Sequence, residues 1–371
     1  MGIKPLLVYI GTYTEAIRFG TGEVFQGKGR GIHIYRMDPE DGSWKSYDTA
    51  EDIKNPSYLA FHPGRRYLYA VNELKSYQGE QSGTLSAFRV DPEDGRLHFI
   101  NMMPTHGTDP CHVVVDGSGR YALVSNFASG SIAVLPIRED GGLEEASDVR
   151  RHSGSSLDPV RQAGPHTHSA TLDASNRYVF VPDLGLDRLM IYRFDADKGK
   201  LEAHEQPWLE TASGAGPRHF VLHPGGGFAY LINELDSTIV SMEYDGQRGR
   251  LRAIQTVSTL PESFEGNSSC ADIQVHPSGR FLYGSNRGHD SIITFKIDPQ
   301  SGRLNYLGHE STRGKTPRNF LIDPSARFLF AANQDTDNVV HFNIDPRSGR
   351  LAPSGHQTDA PTPVCIKILQ L

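Results

Sequence analysis

Cysteine and tryptophan are scarce in this chain, with three Cys and two Trp among 371 residues. Cys111, Cys270 and Cys365 are odd in number, far apart and in no C-x-x-C pattern, so a disulfide framework is excluded and buried free thiols are expected. Long apolar runs are missing too: none reaches the about 18 residues of a membrane-spanning helix. The first apolar run, LLVYI, is too short for a secretory signal. The expectation is a soluble, cytoplasmic protein with no membrane partner. No amphipathic stretch lasts the about 10 residues that a helix needs. An excess of positive charge is also absent: 37 basic residues are interspersed with 44 acidic ones, net −7, which argues against a nucleic-acid partner.

What the chain does have is Gly (38), Pro (23) and short runs of Thr, Val, Ile, Tyr and Phe, the composition of an all-β protein. One phrase recurs six times: FHPGRRYLYAVNE from Phe61, VDGSGRYALVSNF from Val115, LDASNRYVFVPDL from Leu172, LHPGGGFAYLINE from Leu222, VHPSGRFLYGSNR from Val275 and IDPSARFLFAANQ from Ile322. The starts lie 54, 57, 50, 53 and 47 residues apart, which fits four short strands and their turns. In each copy a strand ends at a Pro/Gly/Ser-rich turn and an aromatic, β-branched strand follows; these are strands a and b.

A second phrase, of the type DPEDGRL, occurs seven times, from Asp38, Asp91, Arg138, Asp195, Tyr244, Asp298 and Asp345. Asp and Pro open a turn and Gly supplies its positive φ, so this phrase joins strands c and d. Seven turns predict seven blades. The missing seventh a/b pair is split between the ends: LLVYIGT (6–12) reads as a strand b without its a, and TPVCIKIL (362–369) as a strand a without its b. The chain, 1–371, is therefore expected to be a single seven-bladed β-propeller domain whose N- and C-terminal strands share the closing blade, hiding the edges of an open array. A string of β-sandwiches would explain neither the period nor the split blade.

In a propeller the start of strand a and the end of strand b meet near the axis on one face. Those positions are separated by a constant 16 residues: Ser57 and Glu73, Cys111 and Phe127, His168 and Leu184, Arg218 and Glu234, Ala271 and Arg287, Arg318 and Gln334. One residue beyond the first series stand Tyr58, His112, Ser169, His219, Asp272 and Asn319. Structural positions should repeat from copy to copy, as the Asn near the end of strand b does. The rim does not repeat. It offers His168, Arg218, Glu234, Arg287, Glu73, His112 and Arg318, polar groups of the kind that furnish a small-molecule pocket. The inserts 15–29, 74–83 and 147–164 leave from the same face as candidate walls.

Three other signals carry less. GEVFQGKG (22–29) mimics a phosphate loop, but Gly29 stands where Ser or Thr should be and no strand and helix flank it, so a flexible loop is expected. His166 and His168 alternate in an extended segment that should point them apart, with no third zinc ligand at suitable spacing. His166 remains a candidate pocket residue. There is no G-x-S-x-G elbow, and Cys111 has no dedicated activating motif.

The stretches GPRHFVLHP…YLINEL (216–235), HSATLD…RYVFVPDLGLDRLMIYRF (168–194) and ADIQVHPSGRFLYGSNRGHDSI (271–292) resemble the lactonase family of seven-bladed propellers. That family includes bacterial 6-phosphogluconolactonases and fungal carboxy-cis,cis-muconate cyclases, and the resemblance spans essentially the whole chain. In the cyclase branch a His, two Arg and a Glu at the axial mouth are the functional residues; the matching positions here are His168, Arg218, Arg287 and Glu234. The resemblance implies hydrolysis of a sugar-acid δ-lactone, most directly 6-phospho-D-glucono-1,5-lactone to 6-phosphogluconate, a step of the pentose phosphate pathway. The arginines suit an anion and a developing oxyanion, and either His168 or Glu234 would take a proton from water while the other assists the ring oxygen. Glu73, His112, His166, His219 and Arg318 are the expected substrate-binding residues. The expected partner is a small anionic lactone or carboxylate, with no cofactor and no metal, on a monomer or weak homo-oligomer. A muconate-type cycloisomerase is the alternative enzyme; a non-catalytic interaction propeller is the alternative of another class, although the Trp-Asp pairs of WD repeats are missing.

Overall fold

Each recurring phrase builds the strand pair expected of it in the computed structural model, which describes residues 6–19 and 21–371. The a/b pairs are Tyr58–Phe61 with Tyr67–Asn72, Pro110–Val115 with Tyr121–Asn126, and Thr171–Leu172 with Tyr178–Asp183. They continue as Pro217–Leu222 with Phe228–Asn233, Ser269–Val275 with Phe281–Arg287, and Pro317–Ile322 with Phe328–Asn333. Strands c and d complete seven four-stranded antiparallel sheets, one of which is ordered Pro363–Gln370, Leu6–Thr12, Gly31–Met37, Trp44–Glu51. In that closing blade Leu6 lies opposite Gln370 and Ile10 opposite Ile366, so the two ends of the chain pair as expected. Apart from one 3₁₀ turn, Gln334–Thr336, no helix forms among the described residues, and none is long and apolar enough to cross a membrane.

The strands are buried on both faces because each blade is sandwiched between two others. Side chains alternate across a strand, so Tyr121 and Leu123 pack toward one neighbouring blade while Ala122 and Val124 pack toward the other. Seven apolar clusters accordingly lie one at each blade-to-blade interface, and a small eighth, Tyr13, Ile17 and Val364, sits beside the mouth. Cys270 and Cys365 lie inside two of them, and all three thiols are free and buried.

The two repeated phrases turn out to be halves of one joint. At every c/d turn the glycine has a positive φ, and a Cβ there would strike the first core side chain of strand b in the preceding blade. Gly302, at φ 67°, would place it 2.4 Å from the Phe228 ring, and Gly141, at φ 82°, 2.2 Å from Tyr67. The repeated Asn of strand b donates to the connector that leads into its own blade: Asn126 to Thr105 O, Asn286 to Thr259 O, Asn333 to Thr312 O. In the third blade Asp183 replaces it and instead accepts from His152 at 2.6 Å and from the His166 amide at 2.7 Å, which pins the long insert.

One local expectation is corrected. Residues 22–29 are not a free loop: Val24–Gln26 pairs with Ala16–Arg18, with Ile17 opposite Phe25. Phe19 and Phe25 close on Tyr13 at ring distances of 6.0 and 6.3 Å, so aromatic packing, rather than any phosphate geometry, shapes the segment.

Candidate active site

The rim residues reach the axis because strand a starts with a bulge. The pairing register slips between Pro110 and His112, between Pro217 and His219, and between Pro317 and Asn319. Cys111, Arg218 and Arg318 are the residues left out of the ladder, and each lines the axial cavities. A bulge re-aims a side chain without shortening the strand.

The mouth is a cavity of about 500 Å³ lined by His168, Glu234, Arg287, Glu73, His166 and Arg318 of the expected set. All three inserts wall it, through Phe19 and Phe25, Lys75 and Arg161. Beneath it a much smaller pocket continues down the axis between Tyr13, Ser57, Glu73, Cys111, His168, Arg218, His219 and Arg318. Arg218 and His219 thus sit one layer deeper than expected. His112 lines neither space; its ring stacks on Tyr58 at 4.3 Å, below the pocket floor. His166 and His168 were expected to point apart, yet both line the mouth. The pairing around them is only an isolated bridge at Thr167, so strict alternation does not apply, and the two rings flank Phe127 at 4.6 and 5.3 Å.

Glu234 is the hub of the cationic half. Its Oε1 accepts from Arg161 Nη2 at 2.5 Å and its Oε2 from Arg218 Nε at 2.8 Å, while Arg287 Nη2, which donates to Cys270 O, forms an ion pair with Oε2 at 3.0 Å. Arg218 is 2% exposed, so its charge requires this partner; it also donates to Ala271 O. Burial opposes ionisation of Glu234, but Arg287, Arg161 and Arg218 together outweigh it and hold the carboxyl well below its ordinary pKa. Burial likewise pulls Arg287 down to about 10, leaving it charged at neutrality. One carboxylate against three guanidiniums leaves a net positive wall.

His168 is kept neutral: burial first, then the nearby Arg218 and His219, pushes its pKa well below the usual value. His219 Nδ1 donates to Asp272 Oδ1 at 2.9 Å, and Asn319 donates to Asp272 Oδ2 at 2.6 Å, a buried network under the site. On the opposite side Tyr13 Oη donates to Glu73 at 3.2 and 3.3 Å, and the Arg318 guanidinium lies over the Tyr13 and Phe19 rings at 5.6 and 5.5 Å. Cys111 faces His168 Nδ1 at 3.7 Å, but burial raises its thiol pKa steeply, so it offers no thiolate.

Two participants escaped the repeat-based reading. Arg161 lies in an insert, outside the 16-residue register; its only signal was that the insert leaves from the furnished face. Tyr13 follows the split strand b, one residue past Thr12, where the seventh blade has no full phrase to align.

The chain as a whole is similar to known proteins. The family described as lactonase, 7-bladed beta-propeller, matches residues 7–368. A 6-phosphogluconolactonase of Bacillus subtilis is 36% identical over 362 residues, 97% of each chain, and one of Formosa agariphila is 33% identical over 85% of this chain and 86% of its own. The solved structure of a periplasmic gluconolactonase from Pseudomonas aeruginosa is 35% identical, with a TM-score of 0.90 over 99% of both chains. Fold, closure of the final blade and match along nearly the whole length agree, and the chain belongs to the lactonase family of seven-bladed β-propellers.

Proposed function

We propose that this protein hydrolyses 6-phospho-D-glucono-1,5-lactone to 6-phosphogluconate at the axial mouth, in the cytoplasm. The observation that carries the reading is the cationic wall gathered on the single carboxylate of Glu234: Arg161 and Arg287 face an open cavity of about 500 Å³, and Arg218 backs the same carboxylate from the small pocket beneath. Such a wall suits an anionic sugar lactone twice over. Guanidiniums bind phosphate through paired, charge-assisted hydrogen bonds, and they stabilise the oxyanion that forms when water adds to the carbonyl. Glu234, held ionised by its three partners, and His168, held neutral by burial, are poorly suited to exchange a proton with each other at neutral pH. We assign Glu234 to holding the arginines and His168 to orienting the lactone by hydrogen bonding.

The test is acid release from 6-phosphogluconolactone, with the spontaneous rate subtracted, beside glucono-1,5-lactone and a carboxymuconate. The expected result is saturable turnover of the phosphorylated lactone, a lower kcat/KM for the unphosphorylated one, and no loss of muconate absorbance. Acceleration of muconate closure without lactone hydrolysis would overturn the reading.

A further inference from the structure

We infer that Glu73 is the catalytic carboxylate of the mouth, taking the proton from the water that attacks the lactone carbonyl, while Tyr13 positions it. This rests on the lactonase reading and names the proton acceptor that reading lacks.

Three observations lead there. The first is placement: Glu73, like His168 and Arg318, lines both the open cavity and the small pocket that continues beneath it, so it stands where a lactone from above and water from below would meet. The buried hydroxyl of Ser57, on the same lower pocket, faces the Glu73 carboxylate at that junction. The second is commitment. Both oxygens of Glu234 are taken by guanidiniums, whereas the Glu73 carboxylate is met by neutral hydroxyls, that of Tyr13 at 3.2 and 3.3 Å and that of Ser57, and by no cation within ion-pair distance among the described residues. Arg318 is equally uncommitted: among the described residues it forms no hydrogen bond or ion pair and rests on aromatic faces. The mouth therefore holds one cationic cluster whose single carboxylate is fully taken, and apart from it one acid without an ion pair beside one cation without an ion pair.

The third is protonation. Burial raises Glu73 to about 7; Arg318 and the hydroxyls of Ser57 and Tyr13 oppose this, and Asp109 adds to it. Tyr13 is raised well above its ordinary value, Cys111 stays a thiol, and His168 and Arg218 across the lower pocket remain neutral and charged respectively. Asp109 is paired with Lys75 at 3.6 Å. A base is most effective when its pKa lies near the working pH.

The step balances without any co-reactant. Ionised Glu73 removes a proton from water as the water oxygen bonds to the carbonyl carbon and the C=O pair moves onto oxygen. When the oxyanion collapses, the ring C–O bond breaks and the ring oxygen takes the proton back from Glu73. The products are the hydroxy acid, which ionises in solution, and the carboxylate of Glu73 restored.

The experiment compares pH profiles of wild type, Glu73→Gln and Tyr13→Phe on 6-phosphogluconolactone, with folding checked by circular dichroism. For wild type, kcat should rise through about pH 7. Glu73→Gln should lower kcat by about 100-fold or more with little change in KM, and abolish that rise. Tyr13→Phe removes a hydrogen bond that favours the carboxylate, so it should move the midpoint to higher pH while costing less in kcat. If Glu73→Gln fails to fold, Glu73→Asp should keep the pH dependence at reduced kcat. A folded Glu73→Gln that keeps a wild-type kcat or the rise through about pH 7, or a Glu73→Asp variant in its place with an undiminished kcat, would overturn the assignment alone. A wild-type protein inert toward every lactone would overturn both this and the lactonase reading.

Discussion

On the face away from the mouth, four arginines repeat one contact. Arg120, Arg177, Arg280 and Arg327 each lie over the aromatic that follows them and reach a carbonyl in the c/d turn of the next blade: Ala196, Gly246, Pro346 and Pro39. On the mouth face, Arg161, Arg218 and Arg287 come from different elements, share a single carboxylate, and none copies another. The same strands run between the two faces. Where a contact fastens blade to blade, the geometry is the same at each interface and the residues converge on one solution. Where blades meet at the axis there is only one place to serve, and each blade contributes something different. Repetition marks what closes the ring; divergence marks what faces the ligand.

This contrast can be broken most forcefully at Glu234. Glu234→Ala strips three guanidiniums of their shared partner and should destabilise the fold by about 3–5 kcal/mol in urea unfolding, while abolishing turnover. Arg318→Met removes a cation that forms no hydrogen bond or ion pair among the described residues, although it helps to hold Glu73 ionised. It should lower kcat/KM for the phosphorylated lactone about 100-fold, or about 2.7 kcal/mol, with the unfolding midpoint nearly unchanged. Gly302→Ala, on the other face, forces a Cβ into the Phe228 ring at positive φ. A loss of about 2 kcal/mol is expected, with the specific activity of the folded protein intact. The smallest effect belongs to Arg120→Ala, one exposed copy of a repeated clasp, at about 0.5–1 kcal/mol and no change in kcat. If Arg120→Ala impaired turnover, or Arg318→Met cost as much stability as Gly302→Ala, the division between the faces would fail.

Blade number, closure and the face that carries the pocket were all legible from the repeats, because blade-to-blade packing imposes a period that single-residue identity cannot hide. The depth of each side chain was not. His112 and His219 are neighbours of rim residues in sequence, but the bulges after Pro110 and Pro217 send the rim residue to the axis and the next one into the floor. The repeated Pro before Cys111, Arg218 and Arg318 was the available clue, since Pro removes a ladder donor where the register slips. Arg161 and Tyr13 were hidden for another reason: both lie on chain that has no counterpart in other blades, so no alignment of copies could set them apart. The hairpin at 22–29 was missed because its glycines outweighed the alternation of Val24, Phe25 and Gln26, two strands too short for a periodic signal.

The most direct test of the account is a crystal structure with 6-phosphogluconate bound. The account predicts the product in the axial mouth, one anionic group on Arg318 and the carboxylate end between Glu73 and the Arg161–Arg218–Arg287 wall, with the ring of Arg120, Arg177, Arg280 and Arg327 unchanged. Product bound on that opposite face, or in the mouth but out of reach of Glu73 and Arg318, would contradict it.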